Sequence, residues 1–141
     1  MKRLDLAKIS AAVVDYDRTL TDAELKPSTE ALDALAELKR VRGWHIIIAS
    51  GRPVSFFLGY DEVVGLADAI VAENGAVIYL PKNDRTVVLG GEDFSRIKRA
   101  LSRRGIPIEA FDVIISVRRQ AEELVKRVIV EAGVDAKIEY N

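Results

Sequence analysis

The chain has 141 residues, 49% hydrophobic and 30% charged, with a net charge of −1, which describes one ordinary globular domain, or one and a small appendage. No large field favours nucleic acid or membrane, no apolar run approaches the ~20 residues that span a bilayer, and Asp5 and Lys8 interrupt the stretch where a secretory leader would be apolar, so a cytoplasmic protein is expected. Cysteine is absent and His45 is the single histidine, which excludes disulfides, thiolate metal sites and a histidine-rich zinc site within one chain; one Gln and three Asn beside abundant Arg, Lys and Glu lean toward a thermophilic source.

In chain order, the first element is a largely apolar run, Ile9 to Val14, that ends in Asp15-Tyr16-Asp17-Arg18-Thr19-Leu20-Thr21-Asp22. Residues i and i+2 of a strand share a face, so Asp15 and Asp17 are placed to point together just beyond the strand's C-terminal end, where open α/β sheets bind ligands. Two such carboxylates suit phosphoryl transfer, one attacking phosphorus and the other moving protons. A magnesium ion would screen carboxylate from phosphate. The same residues also suit a strand-ending turn, in which side-chain oxygens bond local N–H groups, and this stretch alone leaves both readings open.

Thr29 to Arg42 carries Ala31, Leu32, Leu35, Leu38 and Val41 at helical spacing, with Ser28 as N-cap and Gly43 as stop. Trp44 to Ala49 is an almost wholly apolar run, the mark of a strand covered on both faces, and His45 within it reads as a strand residue rather than a ligand. It ends in Ser50-Gly51-Arg52-Pro53, and Pro53 is suited to open a helix carrying Val54, Phe56, Phe57 and Leu58. Ser50 and the Gly51 N–H would then lie near a helix N-terminus that attracts phosphate, although the turn also serves as a plain strand-to-helix connection. A third apolar run, Ala67 to Ala72, ends in Glu73-Asn74-Gly75, a strong hairpin signal, before a strand from Ala76 to Leu80. Three strands each finishing in a polar loop give the pattern of a βαβαβ parallel sheet with a pocket along one edge.

Asp15-Tyr16-Asp17-Arg18-Thr19-Leu20-Thr21, Ser50-Gly51-Arg52-Pro53 and Glu73-Asn74-Gly75-Ala76 together resemble, in order and spacing, the N-terminal part of the haloacid dehalogenase-like phosphatases. The branch most similar has a large α/β cap after the third strand and includes sugar-phosphate and archaeal phosphoglycolate phosphatases. The resemblance implies that Asp15 is the nucleophile and a magnesium ligand. Asp17 would be the general acid/base and give its backbone carbonyl to the metal, and Thr19, Ser50 and the Gly51 N–H would hold the phosphoryl oxygens. Arg18, Arg52 and Asn74 would line the pocket rim. The family usually has Gly where this chain has Arg18. It also has, after the cap, a lysine and a Gly-Asp-rich acidic loop that these 141 residues do not reach.

From about Asn83 onward the pattern reads strand (Thr86 to Leu89), helix (Asp93 to Arg104), strand (Phe111 to Val117), helix (Arg119 to Ala132) and strand (Ala136 to Tyr140). The fold class expected is therefore α/β: an incomplete Rossmann-like parallel-sheet core over residues 1–82 and a small α/β cap over 83–141, lacking its last strand. Gly90-Gly91-Glu92-Asp93 resembles an acidic metal loop, but Arg96 stands where a second carboxylate would be, so helix capping explains it better. Arg96, Lys98, Arg99, Arg103 and Arg104 read as a solvated helix face, with no interleaved aromatics to stack bases.

The function expected is magnesium-dependent hydrolysis of small phosphorylated metabolites, phosphoglycolate or sugar phosphates, through an aspartyl-phosphate. The alternative is a non-catalytic phosphate-binding or assembly module of the same fold. Without strands encoded after the cap, Ala11 to Val14 becomes an apolar sheet edge that invites association. Self-association, a partner chain or a further C-terminal portion covering that edge is expected, with neither nucleic acid nor membrane as partner.

Overall fold

The computed structural model describes residues 8–140. It divides into two compact units, one ending at Leu89 and one beginning at Gly90.

The first unit is a five-stranded sheet in the order β1 (Ala11–Asp15), β2 (His45–Ala49), β3 (Ala69–Ala72), β4 (Val77–Leu80), β5 (Arg85–Val88). β1, β2 and β3 run parallel, with Asp15 opposite Ala49 and Ala49 opposite Val71. The three C-terminal ends therefore lie side by side. Burial along β2 alternates: Ile46 and Ile48 are fully buried while His45 is exposed. The continuous apolar run therefore has one deeply covered face rather than two.

Helix α1 (Thr29–Arg42) joins β1 to β2 and buries Leu32 and Leu35. Ser28 accepts a hydrogen bond from the Ala31 N–H at its start, and Gly43 closes it in the left-handed region at φ 65°, as the capping residues predict. Between β2 and β3 lie two short helices, α2 (Val54–Phe57) and α3 (Asp61–Leu66). Pro53 is the N-cap of α2, and a helix of four residues contributes little dipole to a phosphate site. α3 was not expected, since six residues give too little periodicity to read.

Asn74 and Gly75 turn the chain at positive φ, 56° and 96°, and β4 returns antiparallel to β3. Pro81 to Asn83 form a tight turn closed by Asp84 in the left-handed region, so β5 folds back onto β4 and pairs Val77 with Val88. The strand expected over Thr86 to Leu89 thus belongs to the main sheet. The boundary falls between Leu89 and Gly90 rather than after residue 82.

The second unit packs α4 (Phe94–Arg103) and α5 (Glu122–Ala132) around Ile97, Leu101, Ile106, Val125, Val128 and Val134. Its sheet has two antiparallel strands, β6 (Ile108–Ala110) and β7 (Ile115–Val117). The single strand expected over Phe111 to Val117 is in fact the second arm of a hairpin whose turn is closed by a Phe111 N–H to Ile114 carbonyl bond of 2.9 Å. Ala136 to Tyr140 forms no strand. That tail is tied down by side chains instead, Tyr140 Oη donating to Glu122 at 2.6 Å and Ile138 packing on the apolar cluster. The basic face of α4 is largely exposed, with Arg96 beside Asp93 and Arg104 beside Glu131. Among the described residues no helix is long and apolar enough to cross a membrane.

Candidate active site

Loops leaving β1, β2 and β3 meet through hydrogen bonds. After β1 the chain makes a tight turn in which Thr19 and Leu20 both donate to the Tyr16 carbonyl, at 3.3 and 2.9 Å. Tyr16 and Leu20 are buried and pin the turn from both sides. Tyr16 packs edge-on against Phe56 and Phe57, with ring centroids 5.6 and 5.0 Å away. Burial, the first cause, pushes its phenol up to about 12, and its hydroxyl has no hydrogen-bond partner among the described residues.

Asp17, on that turn, accepts from Arg52 on both oxygens, Nε at 3.0 Å to each and Nη2 at 2.7 Å to Oδ1. The Arg52 guanidinium lies 4.2 Å over the Phe56 ring. Its basicity is raised above the usual arginine range, chiefly by the hydrogen bond to Asp17. The loop after β1 is thus fastened to the loop after β2 by a forked, charge-assisted pair.

The β2 loop is in turn fastened to the β3 loop. Ser50 donates its N–H to Val71 at 2.9 Å and its carbonyl accepts from Asn74 at 3.3 Å. The Arg52 carbonyl accepts from the Glu73 N–H at 3.1 Å, and the Arg52 N–H donates to Ser50 Oγ at 3.2 Å. A Cβ on Gly51 would come within 2.7 Å of Asn74 Oδ1, so glycine lets the Asn74 amide approach this backbone. Glu73 is buried and, like Asn74, has a left-handed backbone.

Asp15, at the end of β1, and Thr19 are exposed. Neither side chain makes a hydrogen bond or ion pair among the described residues. The arrangement offers one accessible carboxylate, Asp15, and one held by an arginine whose backbone N–H donates to the Ser50 hydroxyl.

This chain matches the haloacid dehalogenase-like hydrolases over residues 12–126. It belongs to that family. It is 35% identical over 92 residues to the phosphoglycolate phosphatase of Methanothermobacter thermautotrophicus, covering 65% of this chain and 39% of that one. To that of Archaeoglobus fulgidus it is 30% identical over 86 residues, covering 61% and 37%. The match spans less than two-fifths of those relatives' length. Among solved structures, a Thermoplasma acidophilum protein superposes with a TM-score of 0.65 at 16% identity, covering 89% of this chain and 58% of that one. A haloacid dehalogenase-like hydrolase from Bacillus subtilis gives 0.59 at 23%, covering 92% and 47%. These establish the α/β Rossmann-like fold.

Within this haloacid dehalogenase-like frame, Asp17, Ser50, Gly51, Arg52 and Asn74 are brought together by the contacts above, and Asp15 lies beside Ala49, the residue before Ser50. Arg18 is exposed, with its guanidinium outside the bonded network. No group of three acids or histidines among the described residues could hold a metal, Glu92 and Asp93 included. Sequence reasoning missed Tyr16 and the Arg52–Asp17 pair. Tyr16 is the apolar residue between two acids, the position that alternation sends into the core. The pairing of residues 35 apart has no local signal.

The oxygen donors suit magnesium, which takes one or two carboxylates and completes its shell with water and phosphoryl oxygens. The Asp15 carboxylate is accessible. Asp17 has its side chain engaged by Arg52, which fits a role for its backbone carbonyl.

Proposed function

We propose that this chain carries the nucleophile half of a magnesium-dependent phosphatase acting on small phosphorylated metabolites, phosphoglycolate or sugar phosphates, in the cytoplasm. The observation that carries this reading is Asp15 exposed at the C-terminal end of β1 while Asp17, two residues on, is fastened to the β2 loop that bears Ser50 and Gly51.

The chemistry follows from those residues. An Asp15 oxygen attacks phosphorus as the bond to the leaving oxygen breaks, and Asp17 hands that oxygen a proton. Asp17 then takes a proton from water, whose oxygen attacks phosphorus and releases Asp15 and inorganic phosphate. To act as the acid, Asp17 must give up part of its double contact with Arg52. Thr19, Ser50 and the Gly51 N–H hold the non-bridging oxygens. Magnesium, when bound by Asp15 and Asp17, would offset the charge of the approaching phosphate. To residues 90–141, the second unit, we assign the choice of substrate.

The test is release of phosphate from an aryl phosphate with and without magnesium. Asp15→Asn is expected to lower the rate by about three orders of magnitude or more. Metal-independent release, or release indifferent to Asp15, would end this reading.

A second reading, a phosphate-binding or assembly module, is favoured by the absence, among the described residues, of any group of three acids or histidines placed to hold a metal. Calorimetry with magnesium and beryllofluoride separates the two: heat that needs both the metal and Asp15 supports a working nucleophile. In either case β1 is the sheet edge and Val13 is 67% exposed, so we place a further chain segment or a second chain along it. A stable monomer of these 141 residues on size exclusion would count against that.

A further inference from the structure

Arg18 has a backbone that argues for a role of its own. Its φ is 60°, the left-handed region that L residues other than Asn and Asp avoid. The conformation is imposed from both sides. The Arg18 N–H donates to the buried Thr21 Oγ1 at 2.8 Å, and the turn is pinned by the buried Tyr16 and Leu20. Glycine satisfies such a position without strain.

A long charged side chain stands there nonetheless, and it pairs with nothing among the described residues. This is notable because three carboxylates lie within four residues of it. Asp17 is taken by Arg52. Asp22 accepts from the backbone N–H groups of Glu24 and Lys26, at 3.0 and 2.8 Å. Asp15 is unpaired among the described residues. Two arginines therefore neighbour Asp17 in opposite states: Arg52 is neutralised by it, and Arg18, the next residue on the same turn, is exposed and unpaired among the described residues. Strain held at a site, with the straining group left unengaged, is what a ligand-binding role produces.

We propose that Arg18 is a phosphoryl-binding residue, its planar fork taking two non-bridging oxygens of the phosphate that Asp15 attacks. With Arg52 already neutralised, Arg18 is the cation that offsets the repulsion between the Asp15 carboxylate and a phosphate dianion. This inference rests on the phosphatase reading above and adds to it a specificity-determining contact.

The test is calorimetric titration of the 141-residue chain with inorganic phosphate in the presence of magnesium, with a thermal melt of each variant. Arg18→Gly and Arg18→Asn both relieve the backbone strain, and Asn lacks the added flexibility of Gly. Both are expected to raise the melting temperature and weaken phosphate binding at least tenfold. Arg18→Lys keeps the charge and loses the fork, and should weaken binding about threefold. A purely structural role for Arg18 would leave affinity unchanged or improve it as the melting temperature rises, and that result overturns the inference. Ser50→Ala distinguishes the two levels. If it weakens phosphate binding and Arg18→Gly does not, the inference fails and the phosphatase reading stands. If the wild type binds no phosphate, or Ser50→Ala changes nothing, the reading fails and takes the inference with it.

Discussion

The two ends of the parallel strands use polar groups in opposite ways. At the N-terminal end of β3, Asp68 accepts the Ile46 N–H at 2.8 Å and pairs with Lys39 at 3.0 Å, while Lys39 also donates to the Leu66 carbonyl at 2.8 Å. The Asp68 N–H returns to the Ile46 carbonyl at 2.8 Å. Each group closes on another, and the result locks α1 to β2 and β3. At the C-terminal end, Asp15, Arg18 and Thr19 make no side-chain bond among the described residues, while Asp17 and Arg52 are matched to each other. A sheet end that satisfies itself contributes stability, whereas one that leaves acids and cations open has capacity for a ligand.

The largest effect expected from breaking this contrast is at Asp68. Asp68→Ala removes a charge-assisted acceptor from the Ile46 N–H and should cost about 2 kcal/mol, read by urea denaturation, with phosphate affinity unchanged. The acid dependence follows with its sign. Burial pushes the Asp68 carboxyl up, but the hydrogen bonds from Ile46 and Lys39 outweigh it and leave the group below its ordinary 3.8. A depressed folded value means the stabilisation is complete above the ordinary range and is lost as pH falls through the lowered one. Wild-type protein should therefore lose stability relative to Asp68→Ala below about pH 4. Parallel curves for the two would show that Asp68 is not the anchor.

Next in size is the charged pair at the open end. Arg52 and Asp17 are 32% and 37% exposed, so water screens them, yet the fork is well formed. A double-mutant cycle of Arg52→Gln and Asp17→Asn should give a coupling of about 1 kcal/mol. A coupling near zero would make both ends of the β1 loop equally loose and would remove the contrast between Arg52 and Arg18.

The order of elements was legible because each strand of the parallel set is an apolar run ending in a polar loop, and Ser28 and Gly43 bracket α1 by local bonding alone. What failed to show was long-range or short. β5 pairs with β4 only because the Pro81 to Asp84 turn is tight enough to bring it back. The hairpin of β6 and β7 is built from three-residue strands too brief for a period, and Ala136 to Tyr140 has strand-like composition but no ladder to join. At the candidate site Asp15, Asp17 and Ser50 announced themselves by residue type at strand ends. The strain at Arg18 and the grip of Arg52 on Asp17 depend on how the turn closes, which no single residue encodes.

The smallest effect sharpens the contrast from inside the core. Tyr16 separates the two acids in sequence, and its ring fills the space against Phe56 and Phe57, yet its hydroxyl is buried without a partner among the described residues. Desolvating a hydroxyl without a compensating bond is unfavourable, and removing it leaves the ring's packing intact. Tyr16→Phe should therefore stabilise the protein by roughly 0.5–1 kcal/mol, measured by urea denaturation, with the Asp17–Arg52 coupling unchanged. A loss of stability would instead mean that the hydroxyl is satisfied by a buried water. The polar end of the sheet would then reach one layer deeper, beneath the loop that carries Asp17.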